Sequence, residues 1–400
     1  MTPARPGGQP LHPVSGAALA MPRSQIREIA NQVIDRPGAD VVRLELGEPD
    51  FLPPAHVVEA AAAAARAGAR YSHSAGTLPL REALSERLAR VSGVGCPPDR
   101  VVVSQGAMQG IAAVFAAVVE PGDRVLVPDP GFANYRAITV LSNAVPVPYR
   151  LDPAAGFQPD LDEVAALAER HRPKVIMVNS PGNPTGSVLP PDAGRALVGV
   201  ASRVGALVVS DEVYDELVYE GAPANLAAYD PGRVAGVYSF SKTYAMTGWR
   251  VGYVACGAEL AEVLTTVQDV AVACISAVSQ AAALAALRGP QDQVAVMRDT
   301  FRGRRDMVAA RLEAAGIKAV APHGAFYQMV PLAAGVDSRR AANDLLSWGA
   351  AVAPGSAFGD VAADCLRLHF AAGDDVVAEG LRRILAWYQA TEGGLVPATR

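Results

Sequence analysis

An α/β fold, with a mostly parallel central sheet flanked by helices and a smaller α+β domain beside it, is what this sequence predicts. Three features carry the expectation. Short apolar runs recur between residues 80 and 290, helical stretches separate them, and polar residues stand where the runs end. The runs do not alternate with polar residues, so they suit strands covered on both faces, and strands alternating with helices suit a parallel sheet.

The elements follow in order. Residues 1 to about 14 are Pro/Gly-rich and are expected to be loosely ordered. An alanine-rich stretch at 55–67, bounded by Pro54 and Gly68, predicts a helix by propensity. Val101–Val103 is the first run, followed by Ser-Gln-Gly and a helical pattern to Val119 that Pro121-Gly122 stops. Arg124–Val127 ends at Pro128-Asp129-Pro130-Gly131. Val175–Val178 leads into Asn-Ser-Pro-Gly-Asn-Pro-Thr-Gly (179–186), and Ala206–Val209 into Ser210-Asp211-Glu212. Val237–Phe240 leads into Ser241-Lys242, and Val251–Ala255 follows. Beyond about 295 the pattern changes to a charged helix, Asp299 to Leu312, then the run Phe326–Val330. Ala-Val-Ala-Pro-Gly at 351–355, the run Leu366–Phe370 and a helix from about 374 complete it. This predicts an N-terminal segment (1–45) packing with a small C-terminal domain (293–400), and a large domain over 46–292.

Composition excludes several classes. Of 400 residues half are hydrophobic, and the net charge is −5, which suits neither nucleic acid nor an anionic membrane surface as partner. Arg302, Arg304 and Arg305 read as a solvated helix face rather than a binding stripe. No apolar run reaches the roughly 18 residues that span a bilayer, and no stretch suits a secretory signal. Cys96, Cys256, Cys274 and Cys365 are scattered, without metal-ligand or disulfide spacing, so no metal and a cytoplasmic location are expected.

The polar residues at the run ends carry the chemistry. In open parallel sheets ligands bind beyond the carboxyl ends of the strands, where Asn179, Asn183, Asp211 and Lys242 fall. Lys242 by itself reads as an edge lysine. Ser239 before it and Arg250 after it are a hydroxyl and a guanidinium suited to a phosphate, and Gly248 allows a sharp turn between them. Asp211 by itself reads as a helix N-cap. As a carboxylate at a buried strand end it is costly unless it faces a cation, and Tyr214 follows within hydrogen-bonding reach of a phenolic oxygen. Gly106-Ala107-Met108 joins a strand to a helix N-terminus. That is an ordinary tight turn or a phosphate site. The segment is neither G-x-G-x-x-G nor a Walker loop, which opposes nicotinamide and ATP readings.

These motifs together resemble the fold-type-I pyridoxal-phosphate (PLP) enzymes of the aspartate aminotransferase superfamily. The resemblance runs from about Leu44 to Phe370. It rests on Leu-Gly-Glu-Pro-Asp-Phe (46–51), Tyr-Ser-His-Ser-Ala-Gly (71–76), Leu-Arg-Glu-Ala-Leu (80–84) and Val-Asn-Ser-Pro-Gly-Asn-Pro-Thr-Gly (178–186). Ser-Asp-Glu-Val-Tyr (210–214), Lys242 to Arg250 and Cys-Leu-Arg-Leu-His-Phe (365–370) complete it. It implies the PLP-transferase fold and an aminotransferase that moves the amino group of an L-amino acid to a 2-oxo acid with ping-pong kinetics. Lys242 is then the Schiff-base lysine and proton shuttle. Asp211 pairs with the pyridinium nitrogen, Tyr214 and Asn183 meet the ring oxygen, and Phe132 stacks on the ring. Gly106, Ala107, Met108, Ser239 and Arg250 hold the phosphate. Phe132 stands where relatives often have Trp or Tyr, and Met108 offers only its backbone. Tyr71 resembles a tyrosine that reaches the phosphate of a neighbouring subunit, implying a homodimer with shared active sites. Arg367, with Gly47 and Asn183, resembles the clamp on the substrate α-carboxylate.

The same cofactor residues would serve a β-lyase, a decarboxylase, an oxidase-like PLP enzyme or a non-catalytic PLP-binding protein. Where one group of relatives supplies a second arginine for dicarboxylic substrates, residues 271–275 contain none, which favours a neutral or aromatic substrate side chain.

Overall fold

The computed structural model describes residues 14–36 and 38–395. The expectation of loose order for residues 1 to 14 therefore falls almost wholly outside the described residues. The main sheet has eight strands, in the spatial order Val101–Ser104, Gly252–Ala255, Val234–Ser239, Leu207–Asp211, Val175–Asn179, Arg124–Asp129, Val145–Asp152 and Gln158–Pro159. From Val234–Ser239 to Val145–Asp152 all neighbours run parallel. Gly252–Ala255 is antiparallel to both its neighbours, as is the short Gln158–Pro159 to its single one.

The unbroken apolar runs follow from this placement. Successive strand residues point to opposite faces. Val125, Val127, Val175, Met177 and Val209 enter one buried cluster, while Leu126, Ile176, Val178 and Val208 enter another on the other side. Both faces are dry, so both parities are apolar. Val145–Asp152 was not foreseen as a strand. It begins Val-Pro-Val-Pro, and a proline withholds a ladder donor. It is tolerated one place from the sheet edge, where the outer neighbour pairs only through Leu151 and Asp152.

A second unit packs against the carboxyl end of this sheet. Tyr327–Pro331, Cys365–His369 and Ala353–Pro354 form an antiparallel three-stranded sheet, covered by helices Ser338–Ser347 and Asp374–Ala390. The N-terminal residues join it: Val42–Arg43 pairs in parallel with Ala350–Ala351, and Ile29 and Leu44 are buried with Leu345, Leu381 and Trp387. Among the described residues no helix is long and apolar enough to cross a membrane.

The charged helix starts at Asp292 rather than Asp299 and runs to Ala314. Its arginines correct the reading of a solvated face. Arg302 is exposed, but Arg304 and Arg305 are only 8% and 6% exposed. Arg304 donates to both carboxylate oxygens of Asp50 at 2.9 Å and to Asp374 at 2.6 Å. Arg305 donates to the Pro322 carbonyl at 2.9 Å and pairs with Glu220. The helix packs its apolar side into the core of the second unit, where carboxylates from distant segments converge on it. Arg304→Met is therefore expected to lower the unfolding free energy by about 2 kcal/mol, because it strands Asp50, while Arg302→Met costs less than about 0.5 kcal/mol. Urea midpoints of the two variants check this, and equal losses would refute the assignment.

Candidate active site

The parallel register places Asn179 beside Asp211, and Asp211 beside Val237, at the carboxyl ends of adjacent strands. These ends border a cleft of about 500 Å³ between the main sheet and the second unit. Asp211, Lys242, Asn183, Arg250, Tyr327 and Arg367 line it.

Asp211 is 4% exposed. The Tyr135 hydroxyl donates to its Oδ2 at 2.6 Å and the Val213 N–H to its Oδ1 at 3.3 Å. No cation among the described residues pairs with it. Burial pushes its carboxyl up to about 6, against the opposing pull of those two donors. Burial and the neighbouring Asp211 push the Tyr135 phenol far above its ordinary range, so it stays a donor. Asn179 braces the same corner: its amide donates to the Asp211 carbonyl at 2.9 Å and its Oδ1 accepts from the Asn183 N–H at 2.7 Å.

Lys242 sits on a single helical turn, Phe240–Thr243, rather than on the strand itself. The turn starts because Ser239 caps it, its hydroxyl accepting from the Ser241 N–H at 3.1 Å. Lys242 Nζ donates to the Gly47 carbonyl at 2.7 Å. Gly47 is required there, since a Cβ would lie 2.5 Å from the Tyr327 hydroxyl. Burial pulls the Lys242 ammonium down to about 8; Glu48 opposes this, while Arg367 and Arg250 reinforce it.

The third corner is a cradle of donors. Gly106 precedes the helix Ala107–Val118 with φ +76°, and no side chain caps that helix. A Cβ on Gly106 would lie 2.5 Å from Arg250 Nη2, so the guanidinium rests against this backbone. Arg250 reaches it from a left-handed backbone (φ 55°), and Ala245 (φ 52°) takes a similar conformation. The expected turn at Gly248 is thus made by its neighbours; Gly248 has no positive φ. Met108, Phe132 and Ser239 line the same cleft.

The fourth corner holds Arg367, 2% exposed, on the strand Cys365–His369. It donates to Asn183 Oδ1 at 3.1 Å and to the Glu45 carbonyl, and its Nε has no partner. Its Cζ lies 4.5 Å from the Tyr327 ring centre and 4.9 Å from that of Phe358. The Tyr214 and Tyr327 hydroxyls share a 2.8 Å hydrogen bond.

A buried carboxylate without a cation, a donor cradle suited to a dianion and an amine of lowered basicity share one cleft. These residues fit the ring nitrogen, the phosphate and the aldehyde of PLP. Of the site residues expected from sequence, all but Gly106 and Tyr71 line the cleft: Gly106 rests against Arg250, and Tyr71 is 91% exposed. Tyr135 was missed, although it lies three residues after Phe132 and so on the same helical face. His369, on the strand of Arg367, is buried; its Nδ1 accepts from the Ala371 N–H at 3.2 Å and burial pulls it down to about 3.

Comparison with known proteins agrees with this geometry. The family model for aminotransferase class I and II matches residues 39–384. The aspartate/prephenate aminotransferase of Thermus thermophilus is 38% identical over 364 residues, covering 87% of this chain and 91% of its own. The LL-diaminopimelate aminotransferase of Desulforudis audaxviator is 36% identical, covering 87% and 90%. Among solved structures, the Thermus thermophilus aspartate aminotransferase with maleate superposes with a TM-score of 0.90 at 34% identity, covering 94% of this chain and all of the other.

The Asp211 carboxyl generates a stability prediction. Its folded pKa of about 6 lies above the ordinary value near 3.9, so its stabilising contribution is complete below about pH 4 and is lost as pH rises through 6. Without added cofactor, Asp211→Asn is expected to be more stable than the parent by about 2 kcal/mol at pH 8, and by less than about 0.5 kcal/mol at pH 4. Urea unfolding at the two pH values checks it; a pH-independent gap would contradict it.

Proposed function

Because this chain belongs to the aminotransferase class I and II family, we propose that its cleft moves the amino group of an L-amino acid to a 2-oxo acid in two half-reactions, with Lys242 as covalent anchor and proton carrier. The chain is a PLP-dependent aminotransferase of fold type I. The observation that carries the assignment of roles is the pairing, in one cleft, of the lowered Lys242 amine with the cation-less Asp211 carboxylate.

PLP, when bound, supplies an electron sink for the pair left on the substrate Cα. The residues do the rest. Asp211 holds a proton on the ring nitrogen, because a buried anion opposite it favours the charged ring. Tyr135 and Asn179 keep that carboxylate in place. The first-turn N–H groups at Ala107 and Met108, the turn at Gly106, the Ser239 hydroxyl and Arg250 bind the phosphate. Phe132 offers a flat apolar face, and Tyr214 and Asn183 hold the ring oxygen. Arg367 grips the α-carboxylate with its planar fork, beside Gly47 and Asn183. Lys242 would hold the cofactor through its aldehyde, and as a free amine its Nζ would take the proton from the substrate Cα and pass it on.

Tyr71 extends the reading to quaternary structure. An almost fully exposed tyrosine, on a segment tied down by Cys274 and Gln280, suits a role in the cleft of a second copy, and we assign a homodimer with shared sites. Four unpaired cysteines suit a reducing cytoplasm.

Stoichiometric conversion of a 2-oxo acid into its amino acid tests transfer against elimination, decarboxylation or oxidation. Lys242→Ala is expected to lower turnover by roughly 10⁴-fold or more; full activity in that variant would end the assignment. Only the neutral amine can bind the aldehyde, and an amine with a pKa of about 8 is about one-tenth neutral at pH 7. The rate of cofactor uptake by cofactor-free protein should therefore climb through pH 8 and level off above it. A profile flat from pH 6.5 to 9 would contradict the lowered amine.

A further inference from the structure

The cleft contains one cation that the roles above leave unused. Arg27 lines it, on the helix Gln25–Ile34, and its guanidinium has no hydrogen bond or ion pair among the described residues. The helix that presents it is well fixed. Gln25 accepts from the Ser356 hydroxyl at 2.8 Å, Glu28 pairs with Arg339 at 2.7 Å, and Gln32 donates to Asn343 at 2.9 Å. These three residues share one face of the helix, which is tied to the second unit. Ile26, Ile29 and Ala30 are buried.

Ile26 packs with Phe358, and the Phe358 ring lies 4.9 Å from Arg367 Cζ. Arg27, the next residue of the helix, is exposed and borders the same cleft as Arg367. In the assigned roles Arg250 takes the phosphate, Lys242 the aldehyde and Arg367 the α-carboxylate. Arg27 is the cation of the cleft left for the part of the substrate beyond Cα. Glu48, the other uncommitted charge in the cleft, accepts a hydrogen bond from Thr247 and forms no ion pair with Arg27. The first turn of the Arg27 helix also borders the cleft, and its dipole adds positive potential there.

We propose that Arg27 is a specificity-determining residue that binds the distal carboxylate of a dicarboxylic amino acid or 2-oxo acid. The inference rests on the aminotransferase reading of the same site. An arginine fork matches a carboxylate geometrically, and a second acid on the substrate completes the charge balance of the cleft. The sequence expectation of a neutral or aromatic side chain looked for a second cation at 271–275. None of those residues lines the cleft of its own chain, and a cation enters instead from the N-terminal helix.

The test uses the PLP-loaded full chain, as wild type, Arg27→Met and Arg27→Lys. Equilibrium binding of succinate, which cannot transfer an amino group, is compared with binding of propionate by calorimetry. Half-reactions with aspartate and glutamate are compared with those of alanine and phenylalanine. Arg27→Met should weaken succinate binding and lower the preference for dicarboxylic over neutral donors, each about tenfold, as fits one exposed charge-assisted contact. Arg27→Lys should recover part of both. Equal succinate affinity in wild type and Arg27→Met would overturn the role of Arg27 even if transfer proceeds. Absence of transfer from every donor in the wild type would overturn the underlying reading, while succinate binding would still report on Arg27.

Discussion

A carboxylate buried without a cation is the constraint on which this architecture turns. Asp211 ends a strand enclosed on both faces, and it receives only a phenol and one amide. Folding must meet the cost of that charge, and the chain does so partially. Tyr135 comes from the helix Ala133–Leu141, which Phe132 opens, and Asn179 fixes the strand beside it. The remaining imbalance faces the cleft. A cation held there would be stabilised by the same burial that the empty carboxylate resists. The site is thus preorganised at some expense to the fold, as functional sites commonly are.

A second constraint is that the cleft has walls from two units whose relative placement must be held. Within the second unit, Arg304 ties Asp50, just after the N-terminal segment, to Asp374 of the last helix. Between the units, Asp129 of the main sheet accepts from the Asp360 and Val361 N–H groups at 3.1 Å and pairs with Arg136. Gly359, with φ +144°, lets that loop approach: a Cβ there would collide with Asp129. Arg367 depends on this bracing. It sits on the second unit, yet it contacts Asn183 of the first and the backbone of Glu45. A small slip between units would misdirect the fork that grips the substrate.

Much of this was legible in the sequence, and for identifiable reasons. The central strands announced themselves because both faces are buried, which removes the polar parity that would blur them. Lys242, Asp211 and Asn183 were legible as a set, since each lies at or just beyond the end of a strand run and parallel strands bring their ends together. What was not legible depends on partners far apart in the chain. Tyr135 meets Asp211 across 76 residues and Arg304 meets Asp50 across 254. No local pattern distinguishes Arg304 from the exposed Arg302 two places earlier. Arg27 lies in an ordinary amphipathic helix, and nothing in its local pattern marks it as bordering the cleft. The strand at 145–152 hid behind its prolines.

The charges of the cleft also act on one another in a direction that favours the chemistry. Lys242 is pulled down chiefly by burial, and Arg367 and Arg250 add to that pull. Those two arginines are also the ones assigned to anions. A phosphate on Arg250 and a carboxylate on Arg367 would each cancel a positive charge near Nζ and add negative charge beside it. At close range in a poorly solvated cleft such exchanges are worth more than in water. Of the two anions, only the substrate carboxylate arrives after the cofactor. The amine is therefore less basic before substrate binds, when it must be neutral to take the aldehyde, and more basic once the carboxylate rests on Arg367, which is when it must accept a proton from Cα. One set of side chains thus serves both demands on Lys242.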